Sequence, residues 1–231
     1  MVDWSSLHSI TVSMHEGILL LAFIAVAVRF LVNIVPKIPV IGWSFSDEFM
    51  QKTARTSETV ATIAAIGGTI GILASAVTGA IMASVEGTLL ETIVLNKVMI
   101  SIFALVFWVD FLVIRLRFGQ ERIWNSRVLQ FFYPLVALIG FSLVTVGGSI
   151  GGTLAGKESI LDPIFDYFSI DKHTAWILPP ISDFSKMVVN SPLQSLVNVS
   201  SMLQIVIIIN VIIAALVIMY VGASARSKTN G

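Results

Sequence analysis

The sequence predicts an all-α integral membrane protein with five transmembrane helices, the first four a duplicated helical hairpin that closes into a four-helix bundle. Three observations predict it. Only 12% of the 231 residues are charged and 56% are hydrophobic, with a mean hydropathy of +0.92; a soluble domain carries roughly 25% charged residues. Five apolar runs reach the roughly 20 residues that a bilayer span needs, at approximately 15–35, 59–84, 92–115, 128–152 and 202–224. The chain also resembles itself over the first four runs. The expected organisation is a bundle over 1–157 (repeats about 7–84 and 88–157), an extracytoplasmic interfacial cap over 158–201, and a fifth helix with its tail over 202–231.

The first run, "HEGILLLAFIAVAVRFLV" at 15–32, holds an arginine, Arg29, well inside it. No Lys or Arg precedes Arg29, so the basic n-region of a cleavable signal peptide is missing and this helix is expected to stay in the mature protein. A charge at that depth usually faces a bundle interior and finds a partner. Sliding the chain by 81 positions offers one: His15 falls on Asn96, Glu16 on Lys97, Arg29 on Asp110 and Trp43 on Trp124. If equivalent positions face a pseudo-twofold axis along the membrane normal, Arg29 and Asp110 lie at similar depth on neighbouring helices and form an ion pair. Snorkelling of Arg29 to the headgroups is the alternative.

The second and fourth runs align at an offset of 69, which sets Gly71 on Gly140, Gly79 on Gly148 and Ala83 on Gly152. Rows of small residues four apart let helix backbones approach closely, so Gly71, Gly79, Gly140, Gly148 and Gly152 are read as packing positions, against a cavity for a flat cofactor or quinone. "GGSIG" at 147–151 fits the G-x-S-x-G nucleophile pattern, but that motif needs a strand–turn–helix context, so these glycines too are read as packing.

Histidine chemistry is the sharpest candidate. His8, His15, Ala22 and Arg29 are spaced by seven and share one helix face, drifting only about 20° per step. A b-type haem takes one or two axial ligands, usually His or Met. His8 and His15 lie about 10 Å apart along one helix, so a second ligand must come from elsewhere, such as His173 or Met99. A metal site of His8, His15 and Glu16 is less favourable, because Glu16 sits about 100° off the histidine face.

The connection 153–201 is too long for a simple turn and mixes aromatics with acids and prolines. That suits a surface cap with Tyr167 and Trp176 at headgroup level. Asn198 opens an N-x-S sequon, meaningful only in a glycosylating host. The loop 36–58 starts with an interfacial "PKIPVIGW" and continues with mixed charges. Nine Lys and Arg fall in the 36–58 loop, the third-to-fourth connection and the tail, against four in the opposite connections. The positive-inside rule then places the amino terminus outside and the carboxyl terminus in the cytoplasm of a cell membrane. The absence of cysteine excludes disulfides, iron–sulfur clusters and thiolate zinc sites, and zero net charge leaves no nucleic-acid footprint.

The histidine-led first helix ("LHSITVSMHEGILLLAF"), the glycine-rich second and fourth helices, the polar opening of the third and the closing "VGGSIGGTLAGKES" resemble the prokaryotic four-helix membrane family designated domain of unknown function 2231, over roughly residues 7–157. The resemblance implies a haem-binding or redox-associated membrane protein, with that role falling on His8 and His15. The chain departs from the family pattern in lacking the helix-one prolines, in its histidine spacing, and in carrying Asn96 where the family has a histidine.

The expected function is a non-catalytic, redox-linked subunit or anchor of a membrane complex, associated with haem or quinone. Its partners would be the bilayer and other membrane subunits or a second copy. The alternatives are a cofactor-free structural subunit and a small-solute or proton carrier. No convergent acid, base and nucleophile can be assembled for an enzyme.

Overall fold

The computed structural model describes residues 3–34, 46–88, 91–158 and 161–167. These form α1 (Trp4–Ile34), α2 (Asp47–Glu86), α3 (Thr92–Asn125), α4 (Leu129–Leu154) and the short α5 (Asp162–Tyr167). Four of them, α1 to α4, are long and apolar enough to cross a membrane. The chain divides into one compact unit of residues 1–89 and 97–172 and a second of 90–96 and 173–231. The fifth run 202–224, most of the 158–201 cap, His173, Trp176, Trp43 and Asn198 lie outside the described residues.

Helix ends follow local chemistry more than apolar runs. α2 begins twelve positions before its expected start at 59, because Ser46 caps it. The Ser46 hydroxyl accepts the Phe49 N–H at 3.2 Å, and Asp47 and Glu48 sit in the first turn, where the helix dipole favours anions. The mixed-charge stretch expected to be loop is therefore helix from Asp47 onward. α3 likewise runs ten residues past 115, broken at Gly119, whose φ of 72° and ψ of 163° leave helical space. α2 ends at Gly87 in the left-handed region, with Thr88 N–H donating to Ala83 O at 2.9 Å. α4 ends in the same way at Gly156, with Lys157 N–H donating to Gly152 O at 2.9 Å. Both ends are Schellman motifs, in which a glycine with positive φ closes the helix.

Within the larger unit each long helix has two antiparallel neighbours. The α1–α2 contact runs from His8 beside Thr78 to Leu19 beside Gly68. The α1–α4 contact runs from Glu16 beside Gly148 to Phe30 beside Phe131. α3 meets α4 from Ser101 beside Gly147 to Phe111 stacked on Tyr133, and it meets α2 where Arg115 reaches Glu58 and Thr62. The result is an up–down ring of four helices, with α1 and α3 on one diagonal.

The ring is built inside out relative to a soluble bundle. Its interior holds small residues, Ala22, Ala25, Ala61, Ala64 and Ala65, around a few large ones such as Leu19, Phe107, Trp108 and Phe111. Large aliphatics lie outside on every helix: Ile10, Leu21 and Ile24 on α1, Ile63, Ile70 and Val77 on α2, Ile102, Val109 and Val113 on α3, Leu135 and Leu138 on α4. Apolar exposure on that scale marks an interaction surface, and small residues inside permit close backbone contact.

Candidate functional site

Among the described residues, two polar clusters lie inside the ring, one at each end. The first sits where α1 begins, and its sequence origin is the seven-residue stripe on α1. His8 points its Nδ1 at the Thr78 hydroxyl, 3.2 Å away, and its Nε2 at Lys97 Nζ, 3.4 Å away. Thr11 Oγ1 donates to the His8 carbonyl at 2.8 Å and lies 3.1 Å from Thr78 Oγ1. One turn deeper, His15 Nδ1 meets the Thr11 carbonyl at 3.0 Å. The tautomer that fits has His8 Nδ1–H donating to Thr78 and Nε2 accepting from the Lys97 ammonium.

Glycines make room for these groups. A Cβ at Gly79 would sit 2.8 Å from the His8 ring, and one at Gly71 would sit 2.5 Å from His15 Cβ. On α4 the same holds for Gly148 against the Glu16 carboxylate and for Gly151 against Lys97 Nζ. Glu16 from α1 and Lys97 from α3 thus rest on one face of α4, about 4.5 Å apart along its axis. Gly140 packs against Trp108 and Phe107, where a Cβ would come within 3.1 Å of Trp108 Nε1. Gly152 lies in the last turn of α4, and its carbonyl takes part in the helix cap.

The second cluster lies where α1 ends. Glu58, 1% exposed, forms an ion pair with Arg115, Nε to carboxylate at 2.8 Å, and accepts the Trp124 indole N–H at 2.9 Å, while Arg115 Nε donates to the Thr62 hydroxyl at 3.3 Å. The Arg29 guanidinium lies over the Trp124 ring, 4.5 Å from its centroid. Tyr133 meets Trp124 edge to face at 5.9 Å and stacks on Phe111 at 4.2 Å. Asn33 donates to Gln130 at 2.9 Å, joining α1 to α4.

The expected Arg29–Asp110 ion pair does not form, because the two are not within pairing distance. The break at Gly119 lets the end of α3 bring Trp124 against α1, and Arg29 takes that ring. Asp110 stays on the flank of α3, between buried Phe107 and Phe111 and exposed Val109 and Val113. At His8 the arrangement offers no ligand for a haem. Both ring nitrogens of His8 are engaged, leaving none for iron. At Gly71 and Gly79 the α2 backbone packs directly against the two histidines, so that a single added carbon would collide with His15 or with the His8 ring. The sequence pattern gives Thr78, Glu58, Arg115 and Tyr133 no signal as site residues and assigns Lys97 no role beyond its alignment with Glu16. The signal for Lys97 was there, as the sign-inverted counterpart of Glu16; Glu58 was hidden by its assignment to a loop.

No protein-family model matches the chain, and neither the characterised proteins nor the solved structures compared with it give a match.

Proposed function

We propose that this chain is a multi-pass membrane protein, with α1 to α4 crossing the bilayer, that handles protons as a small-ion or proton carrier through the His8–Lys97–Glu16 cluster. One observation carries the reading: the His8 imidazole is clasped between a hydroxyl and an amine in the interior of four apolar helices. Ionisable groups inside a span are expensive, and they mark proton relays and ion pathways. Lys97 Nζ and His8 Nε2 at 3.4 Å are two bases around one proton, because two cations at that distance repel strongly in a low dielectric. Glu16, on the same face of α4, supplies the compensating charge. The hydroxyls of Thr78 and Thr11 extend the chain of exchangeable protons toward α2.

A duplicated hairpin is part of the proposal. It is supported by the Schellman ends of α2 and α4, whose residues 83, 87 and 88 correspond to 152, 156 and 157 at the offset of 69. The loop count of basic residues supports placing the His8 end outside and the Glu58 end in the cytoplasm. The exposed aliphatic faces supply the lipid contact. The likeness to the domain of unknown function 2231 supports the four-helix plan, whereas the engaged nitrogens of His8 favour a carrier over a haem-holding subunit.

The test is proton flux in liposomes reconstituted with the full chain, driven by a potassium gradient with valinomycin and read by an internal pH dye. Wild-type vesicles are expected to change pH faster than protein-free ones, and His8→Gln and Lys97→Met are expected to fall to the protein-free rate. Flux that survives both substitutions, or wild-type vesicles that match the protein-free control, would overturn the proposal.

A further inference from the structure

We infer that Asp110 is a proton-binding, carbodiimide-reactive carboxyl on the lipid-facing flank of α3, a second site separate from the His8 cluster. The inference rests on the proposed placement of α3 in a bilayer, and its test distinguishes the two.

Asp110 lies thirteen residues from Lys97 and five from Arg115, about 20 Å and 8 Å along the helix axis, deep within the apolar run. Its side chain is partly exposed, bordered by outward-facing Val106, Val109 and Val113. No cation neutralises it among the described residues. Arg115, about 140° around the helix, is bound to Glu58 at 2.8 Å, and Arg29 lies over Trp124. The sequence offers none from the last apolar run either, since residues 187–225 contain no charge. With α3 in a bilayer, a carboxylate on this flank faces lipid in place of water and has no counter-ion among the described residues, and the species that can neutralise it there is a proton.

A proton-bearing carboxyl that borders lipid has a distinctive chemistry. Its O–H adds across one C=N bond of a carbodiimide, the proton going to nitrogen and the oxygen to the central carbon, which gives an O-acylisourea. Where no water or amine reaches the adduct, the acyl group migrates from oxygen to nitrogen and leaves a stable N-acylurea. Nothing departs and nothing is oxidised or reduced. Glu58, buried and ion-paired, and Glu16, packed on Gly148 inside the ring, are shielded from a reagent arriving through lipid.

The full chain in liposomes is treated with dicyclohexylcarbodiimide and, in parallel, with a water-soluble carbodiimide plus glycine ethyl ester, and peptides are mapped by mass spectrometry. Expected is an N-acylurea at Asp110 with the hydrophobic reagent alone, retained in Asp110→Glu and absent in Asp110→Asn. Amide formation at Asp110 with the water-soluble pair would overturn the inference and the bilayer placement of α3 together. No modification by either reagent, with the protein still monodisperse, would overturn the inference alone, because the carboxyl would then be covered or paired by another chain.

Discussion

Trp124 donates its indole N–H to Glu58 across 2.9 Å, and that hydrogen bond ties the end of α3 to α2. The carboxylate is 1% exposed and also pairs with Arg115 at 2.8 Å, so its removal strands the buried indole N–H and takes the counter-ion from Arg115, whose Nε keeps the Thr62 hydroxyl. Taking one partner from a buried ion pair costs about 3–5 kcal/mol, and Glu58→Ala should lose stability on that scale in detergent unfolding. Glu58→Gln keeps an acceptor for the indole while giving up the charge, so it should lose about 1–3 kcal/mol. Equal losses in the two variants would mean that the indole bond contributes nothing beyond the charge.

The separation of Arg29 from Asp110 has an energetic consequence. Arg29→Leu gives up its position over Trp124, a contribution of about 0.5–2 kcal/mol. Asp110 shares neither that ring nor any hydrogen bond with Arg29. The double substitution Arg29→Leu with Asp110→Leu should therefore be additive within about 0.5 kcal/mol. A double variant more stable than the sum of the single effects would show that the two charges couple after all.

Apolar length located the four helices, and α4 fell within two residues of its expected bounds at each end. What apolar length could not show was where polar helix continues. α2 starts at a serine cap before a charged segment, and α3 runs on to Trp124 past a glycine whose left-handed φ only tertiary packing reveals. The seven-residue spacing put His8 and His15 on one face, and both do border α2. The partners of His8, Thr78 and Lys97, lie 70 and 89 positions away, and no single-chain pattern specifies a contact across that distance. The misplaced Arg29 partner has the same cause: an alignment of the chain with itself at 81 positions sets neither the rotation of α3 nor the position of Trp124.

The glycines divide by what a side chain would strike. At Gly71 a Cβ meets His15 Cβ at 2.5 Å and its Cα at 3.3 Å, atoms that move only with the helix, so Gly71→Ala should cost about 1–3 kcal/mol through overpacking. At Gly148 the obstacle is the tip of Glu16, which can swing away. Gly148→Ala should therefore fold nearly normally while displacing Glu16, and in the liposome assay it should lower proton flux. Gly17 faces open space, so Gly17→Ala should be neutral or stabilise by about 0.5–1 kcal/mol through helix propensity. Matching losses at all three positions would refute a packing-specific role for Gly71.

The amino end of α1 should respond to acid. Asp3 caps it, accepting Ser5 N–H at 3.1 Å and Ser6 N–H at 3.3 Å while the Ser6 hydroxyl donates to its other oxygen. The Ser6 hydroxyl, followed by the Ser6 N–H, holds the carboxyl below the ordinary aspartate range. A carboxylate whose folded pKa is depressed stabilises the helix end fully above its unfolded value, about 3.9, and that contribution disappears as pH falls through the lower folded value. Amide exchange at Ser5, Ser6 and Leu7, whose N–H donates to the Asp3 carbonyl at 3.1 Å, should show the change. Relative to an Asp3→Asn variant, which caps without ionising, protection at these amides should be constant from neutral pH down to about 4 and then decline. Protection that tracks Asp3→Asn at every pH would show that the charge adds nothing to the cap.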